Sequence, residues 1–213
     1  MNFIRDQISI GFQVAVFLLI WVCLLLIKGT SLEIGMEAVK ALPDAIGIYA
    51  VLLFIFIKWA WRWRIFRGWL VNIPILHGTW KGQAQTTWRN PDSDEVPGPI
   101  EMFLVIRQTF LAVHITMFTK ESVSQSDAAT ICLDEVRGSR VLSYSYANVP
   151  NAAVRERSQI HYGAARLRIV LKPTRMLEGE YWTDRKSTGH MSLEFLGRNL
   201  VEGFPKKHVK ANK

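Results

Sequence analysis

Residues 177–190 read LEGEYWTDRKSTGH, with no long apolar run and no apolar residues at helical spacing. The stretch alternates. Leu177, Gly179, Tyr181, Thr183 and Arg185 fall in one phase, and Glu178, Glu180, Trp182 and Asp184 in the other. Successive side chains of a β-strand point to opposite faces. The carboxylates therefore take the solvent side, and the tyrosine, threonine and arginine point into a domain. An inward arginine suits a ligand with phosphates, because guanidinium offers bidentate donors to anionic oxygens. Beside it, Tyr181 would stack on a base and Thr183 would hydrogen-bond to the base edge.

The same short-period pattern fills the chain from Gly78 to about Phe204. It predicts strands near 79–88, 100–107, 110–119, 128–134, 140–147, 159–171, 177–184 and 189–196. Turn chemistry separates them, as in Asn90-Pro91-Asp92, Arg137-Gly138-Ser139, Asn148-Val149-Pro150 and Lys186-Ser187-Thr188. Eight consecutive strands with no helical pattern between them predict an antiparallel meander, which removes its edges by closing into a barrel. A barrel of eight strands holds a filled core or one small ligand. In the first strand Trp80, Gly82, Ala84, Thr86 and Trp88 share a face, and the Gly-x-Trp opening resembles that of lipocalin-like barrels. In those folds the tryptophan closes the barrel floor under an arginine from a late strand. Arg185 thus has a second, structural reading as a cation–π cap on Trp80.

Ahead of the barrel the composition changes. Residues 8–27 (ISIGFQVAVFLLIWVCLLLI) carry no charge, and a run of that length spans the hydrocarbon core of a bilayer. A secretory signal has a shorter apolar core and a small-residue cleavage site, so this run reads as a retained anchor. A second apolar run, 45–57, extends through Lys58, Trp59, Trp61, Arg62 and Trp63, residues suited to the headgroup level, giving a crossing over 45–63. Lys and Arg are sparse in the 28–44 loop and frequent just after the second run, at Lys58, Arg62, Arg64 and Arg67. The loop is therefore placed outside and both termini in the cytoplasm. Thr30 and Glu33 have capping-box spacing for a short helix in that loop, and Pro43 is expected to end it. The domain plan is thus 1–69 for the two membrane helices, a linker at 70–77, the barrel at 78–204 and a basic tail at 205–213. The fold class is membrane-anchored all-β.

Familiar catalytic patterns are missing: there is no Gly-x-Ser-x-Gly, His-Glu-x-x-His, Cys-x-x-Cys or Gly-x-x-x-x-Gly-Lys. His77, His114, His161, His190 and His208 show no paired ligand spacing, so no metal is expected. Cys23 lies in the first membrane run and Cys132 in the polar part, which leaves no disulfide framework and fits a reducing compartment. The chain reads as a non-enzymatic protein without a cofactor. From residue 78 onward 19 Lys/Arg stand against 14 Asp/Glu, an excess that suits an anionic small ligand or anionic headgroups.

Two N-terminal membrane helices followed directly by a barrel of this size resemble the two-helix plus β-barrel effectors of bacterial CBASS anti-phage systems. Two motifs carry the resemblance: Gly78-Thr79-Trp80-x-Gly82, and Leu177-x-Gly179-x-Tyr181-x-Thr183-x-Arg185 followed by Gly189. The resemblance implies that a cognate cyclase makes a cyclic di- or oligonucleotide on infection and that the barrel binds it. The protein then oligomerises, and its helices disrupt the inner membrane. It implies the lipid bilayer and further copies of the same chain as partners, and no nucleic acid polymer. Arg185, Thr183, Tyr181, Trp80 and Thr86 are the candidate ligand-binding residues. Two other readings stay open: a membrane-tethered lipocalin-like binder of an apolar molecule, and a structural membrane subunit whose barrel is a filled core.

Overall fold

The computed structural model describes residues 10–29, 35–89, 94–134 and 138–205. The chain divides into two compact units, Met1–Pro74 with Thr109–Leu111, and Ile75–Gln108 with Ala112–Lys213.

The helical unit is built on α1 (Ile10–Ile27), α2 (Met36–Lys40) and α3 (Leu42–Lys58). Among the described residues two helices are long and apolar enough to cross a membrane: α1, and the 23 residues Met36–Lys58 that join α2 to α3. Small residues let the helices meet closely. Ala38 and Ala41 are buried with Leu25, and Trp21 packs against them and donates its indole N–H to the Ala38 carbonyl at 3.0 Å. The Tyr49 hydroxyl donates to Gln13 Oε1 at 3.3 Å, and Lys28 pairs with Asp44 at 2.6 Å. The remaining helix surface is apolar and open: Leu19, Val51 and Phe54 are each more than half exposed. Such surface is ordinary for a helix solvated by lipid.

Two sequence expectations are corrected here. Pro43 does not end a helix; it sits in the first turn of α3, where its missing N–H would have no partner anyway and its fixed φ favours the helix. The second helix also stops at Lys58, five residues early, and continues as two 3₁₀ turns, Ala60–Arg62 and Arg64–Phe66. Thr30 and Glu33 lie outside the described residues.

The second unit is the expected barrel. Its strands are β1 (Gly78–Thr86), β2 (Ile100–Gln108), β3 (Val113–Phe118), β4 (Ser122–Asp134), β5 (Ser139–Pro150), β6 (His161–Val170), β7 (Met176–Thr183) and β8 (Thr188–Gly197). Each pairs antiparallel with the next, and β8 pairs with β1, closing the barrel. β4 begins six residues before the alternation suggests. A bulge between Ser126 and Ala128 shifts the phase in mid-strand, so the polar segment Ser122–Asp127 does not read as a continuation of Ala128–Asp134. Likewise Asn148-Val149-Pro150 is the end of β5, not a turn. A proline is tolerated there because a strand terminus demands no further ladder donor. Asn90, Pro91 and Asp92 lie outside the described residues.

Inward side chains pack one half of the barrel solid. Leu104, Ile106, Ile115, Ile131, Leu142, Leu167, Leu177 and Leu193 are fully or almost fully buried. Trp80 closes this end, with 0% of its surface exposed and its indole N–H donated to Leu76 O at 2.9 Å. Beside it, the Gln108 side chain accepts the Leu76 N–H at 2.7 Å, and Thr79 Oγ1 donates to Asn199 O at 2.6 Å. The arginine over Trp80 is Arg175, from the β6–β7 connection, with its guanidinium carbon 5.3 Å from the Trp80 ring centroid and 3.7 Å from that of Phe195. The structural reading of Arg185 is corrected accordingly: the cap exists, and a different arginine supplies it.

Candidate functional site

The other half of the barrel is hollow. A cavity of about 1160 Å³ lies among the inward side chains at the end carrying the β1–β2, β3–β4, β5–β6 and β7–β8 connections, and it is partly open to solvent. Its depth follows from residue choice. On β2, β3 and β8 the innermost lining residue is a methionine (Met102, Met117, Met191), and on β1 it is Ala84. Towards the mouth the lining turns polar, with Thr86, Asn148, His161, Thr183, Arg157 and Arg185.

The opening stretch behaves as its alternation predicts up to Thr183. Leu177 is buried, and Tyr181 and Thr183 face the cavity. Glu178 and Glu180 lie opposite Arg168 and Arg166 of β6, outside the barrel, and Arg168 pairs with Glu178. Then the chain turns. Lys186 takes φ 60°, and Arg185 sits on the β7–β8 turn at the cavity rim, exposed, rather than on the inner face of the strand.

Two glycines shape the wall. A Cβ on Gly163 would lie 2.5 Å from the Tyr146 ring and hydroxyl, and one on Gly189 would lie 2.5 Å from the Tyr181 ring. Gly163 of β6 and Gly189 of β8 face inward, so each tyrosine of the neighbouring strand lies back against a bare stretch of backbone. Both rings line the cavity from these positions.

Of the five candidate residues, the structure brings together Tyr181, Thr183, Arg185 and Thr86, all of which line the cavity. Trp80 is not among the lining residues; it belongs to the closed end. The two threonine hydroxyls are already engaged. Thr183 Oγ1 is 2.6 Å from Ser187 Oγ and 3.4 Å from Ser187 O, which clamps the β7–β8 turn. Thr86 Oγ1 accepts the Trp88 N–H at 3.1 Å and donates to Thr188 O at 3.4 Å.

Arg185 differs from the other rim arginine. Arg157 is neutralised by Glu121 at 2.6 Å. The Arg185 guanidinium reaches Ser158 Oγ at 3.4 Å and His161 Nε2 at 3.5 Å, and among the described residues no carboxylate pairs with it. His161 is 7% exposed and directs Nδ1 at Gln159 O, 3.0 Å away. A carbonyl only accepts, so Nδ1 carries the proton and Nε2 is free to accept from Arg185. Burial, and then the Arg185 charge, hold the His161 pKa below its usual value, while the Gln159 contact and Asp184 oppose the shift. The imidazole is therefore neutral, and an uncompensated cation stands at the mouth.

Sequence reasoning placed a strand near 140–147 but missed that its inward row lines the cavity most continuously. On β5 the inward row runs Leu142, Tyr144, Tyr146, Asn148, and the last three line the cavity. Ser124 Oγ donates to Asn148 Oδ1 at 2.7 Å. The alternation of this row is as plain in the sequence as that of 177–183. What it lacks is a charge to draw attention. Arg157, Ser158 and His161 lie on or beside the β5–β6 connection, which no periodicity marks.

A closed barrel, solid at one end and hollow and polar at the other, with Arg185 at the rim of the hollow end, is by architecture a receptor for a small polar molecule. The model of the family "Cap15, cyclic dinucleotide receptor domain" matches residues 71–194, more than half of the chain, and the chain belongs to that family. It is also similar to CD-NTase-associated protein 15 of Staphylococcus schleiferi, with 28% identity over 190 residues covering 89% of this chain and 94% of that protein. The resemblance to the two-helix plus β-barrel effectors of CBASS systems is thereby borne out.

Proposed function

We propose that this protein is a non-catalytic CBASS effector whose barrel binds a cyclic dinucleotide from a cognate cyclase at the inner membrane. The observation that carries this reading is the pairing of a large cavity with an uncompensated guanidinium at its mouth. At about 1160 Å³ the cavity exceeds the usual range of roughly 300–1,000 Å³ for small-molecule sites, which suits a ligand larger than one nucleotide. Phosphates belong at the rim, beside Arg185, and bases in the methionine-lined depth. Two short helices cannot enclose an aqueous path alone, so disruption of the membrane requires many copies. The ligand drives that assembly only by binding the assembly-competent state more tightly than the resting one. The excess of basic residues after α3 supports a cytoplasmic position for both termini and for the barrel.

The full chain in detergent micelles should bind 3′,3′-cyclic dinucleotides in calorimetric titration. In dye-loaded vesicles it should cause leakage only when ligand is added. Absence of binding across a panel of adenine, guanine and uracil cyclic dinucleotides would overturn the receptor reading, and ligand-independent leakage would overturn the gating.

A further inference from the structure

The inward row of β5 contains three buried side chains with polar atoms, Tyr144, Tyr146 and Asn148, and the fold treats the deepest and the outermost of them differently. Asn148, 6% exposed, is satisfied by the barrel itself, because Ser124, 2% exposed, donates to its carbonyl oxygen. Tyr144, 5% exposed, lies four residues deeper on the same face, and its hydroxyl has no hydrogen-bond partner among the described residues. Leaving a buried hydroxyl unpaired is costly, and native interiors seldom do so without reason. Phenylalanine would fill the position without that cost. Burial, and then the neighbouring Tyr146, push the Tyr144 pKa far above the usual phenol range. The group is thus an intact O–H, able to donate and to accept.

Its surroundings say what kind of partner is missing. Tyr144 is the innermost lining residue of β5, as Met102, Met117 and Met191 are of β2, β3 and β8. Thioethers are soft, adaptable and favourable against aromatic faces, so this depth accepts a flat ring. They cannot satisfy a hydroxyl well. A flat heteroaromatic ring with a polar edge meets both requirements: its faces lie against methionine sulfur and its edge reaches the orphan hydroxyl. From this we infer that Tyr144 is a specificity-determining residue, its hydroxyl hydrogen-bonding to the edge of one nucleobase inserted into the methionine-lined depth of the barrel. The inference rests on the receptor reading above and deepens it. The rim arginine holds phosphates of any cyclic dinucleotide alike, whereas Tyr144 tells one base from another.

The test is Tyr144→Phe in the full chain, titrated with 3′,3′-cyclic di-AMP, cyclic di-GMP and cyclic di-UMP, and melted without ligand. Tyr162→Phe, which removes a hydroxyl from the exposed outer face of β6, is the control. Tyr144→Phe should lower affinity for the best-bound member by about tenfold, narrow its lead over the others, and raise the ligand-free melting temperature. Opposite signs for affinity and stability are the signature, since a structural hydroxyl would lower both. Unchanged affinity for every ligand would overturn the inference, as would an equal loss for all three, which is the mark of a phosphate contact or of a disturbed cavity. If the wild type binds no cyclic dinucleotide, the receptor reading itself falls without recourse to any variant.

Discussion

The two ends of the barrel each carry an arginine, and the contrast between them separates fold from function. At the closed end Arg175 lies against Phe195 and Trp80 and donates to Ile75 O at 2.7 Å. These contacts hold an aromatic plug together. At the open end Arg185 makes, among the described residues, two contacts near the outer limit of hydrogen bonding, to Ser158 and His161. A guanidinium gains little from such long contacts, so its donors remain available for an anion. Residue type alone does not distinguish a cap from a ligand-binding residue; the partners already in place do.

The comparison breaks most visibly at the closed end. Trp80→Ala empties a fully buried indole site and should cost about 3–5 kcal/mol. Arg175→Ala should cost less, on the order of 1–2 kcal/mol for a partly desolvated cation–π contact. Because the two side chains touch, the double variant should be clearly non-additive. Denaturant unfolding of the four-protein cycle measures this, and the folded fraction should keep its ligand affinity. If Trp80→Ala weakened binding without loss of stability, the assignment of the two ends would be reversed.

At the open end stability and affinity should trade places. Arg185→Gln should lose a charge-assisted contact worth about 1.5–3 kcal/mol, or roughly tenfold or more in affinity, with almost no change in melting temperature. Thr183→Ala should do less to binding, because its hydroxyl is occupied by Ser187; its loss should loosen the turn that carries Arg185. Glu180→Ala on the outer face serves as the control and should leave both quantities unchanged.

How much of this was legible in the sequence depends on the range over which each signal acts. Strand alternation is local, so eight strands, their order and the inward set Leu177, Gly179, Tyr181 and Thr183 were readable from spacing. Arg185 continues the same phase on paper, yet the chain turns after Thr183, and period two has no meaning beyond the last ladder pair. Arg175 was invisible as the cap because its partnership joins the β6–β7 connection to Trp80 of β1, far away in the chain, and no local pattern encodes it. The β5 row could be read as alternating, but only barrel closure shows that its lower part is packed and its upper part lines a cavity. Pro43 illustrates the opposite error, a local rule applied at the wrong end of a helix.

The smallest expected effect concerns His161, which links Arg185 to the fold. Its pKa in the folded protein is lowered, by burial first and by Arg185 second, against an unfolded value of about 6.5. A group whose folded pKa is depressed binds its proton more readily when the chain unfolds. Its stabilising contribution is therefore complete above about pH 6.5 and is lost as pH falls towards and through the folded value. Ligand-free protein should melt at progressively lower temperature between about pH 7 and pH 5, and His161→Gln should remove that part of the slope. Arg185→Gln supplies the sharper comparison. Removing the cation takes away one cause of the depression while leaving burial in place, so the pH-dependent loss should shrink without vanishing. Arg175→Ala, at the far end, should leave it unaltered. A slope that vanished entirely in Arg185→Gln would mean that charge, not burial, sets the histidine's proton affinity, and that the contact between the two is tighter than its 3.5 Å separation implies.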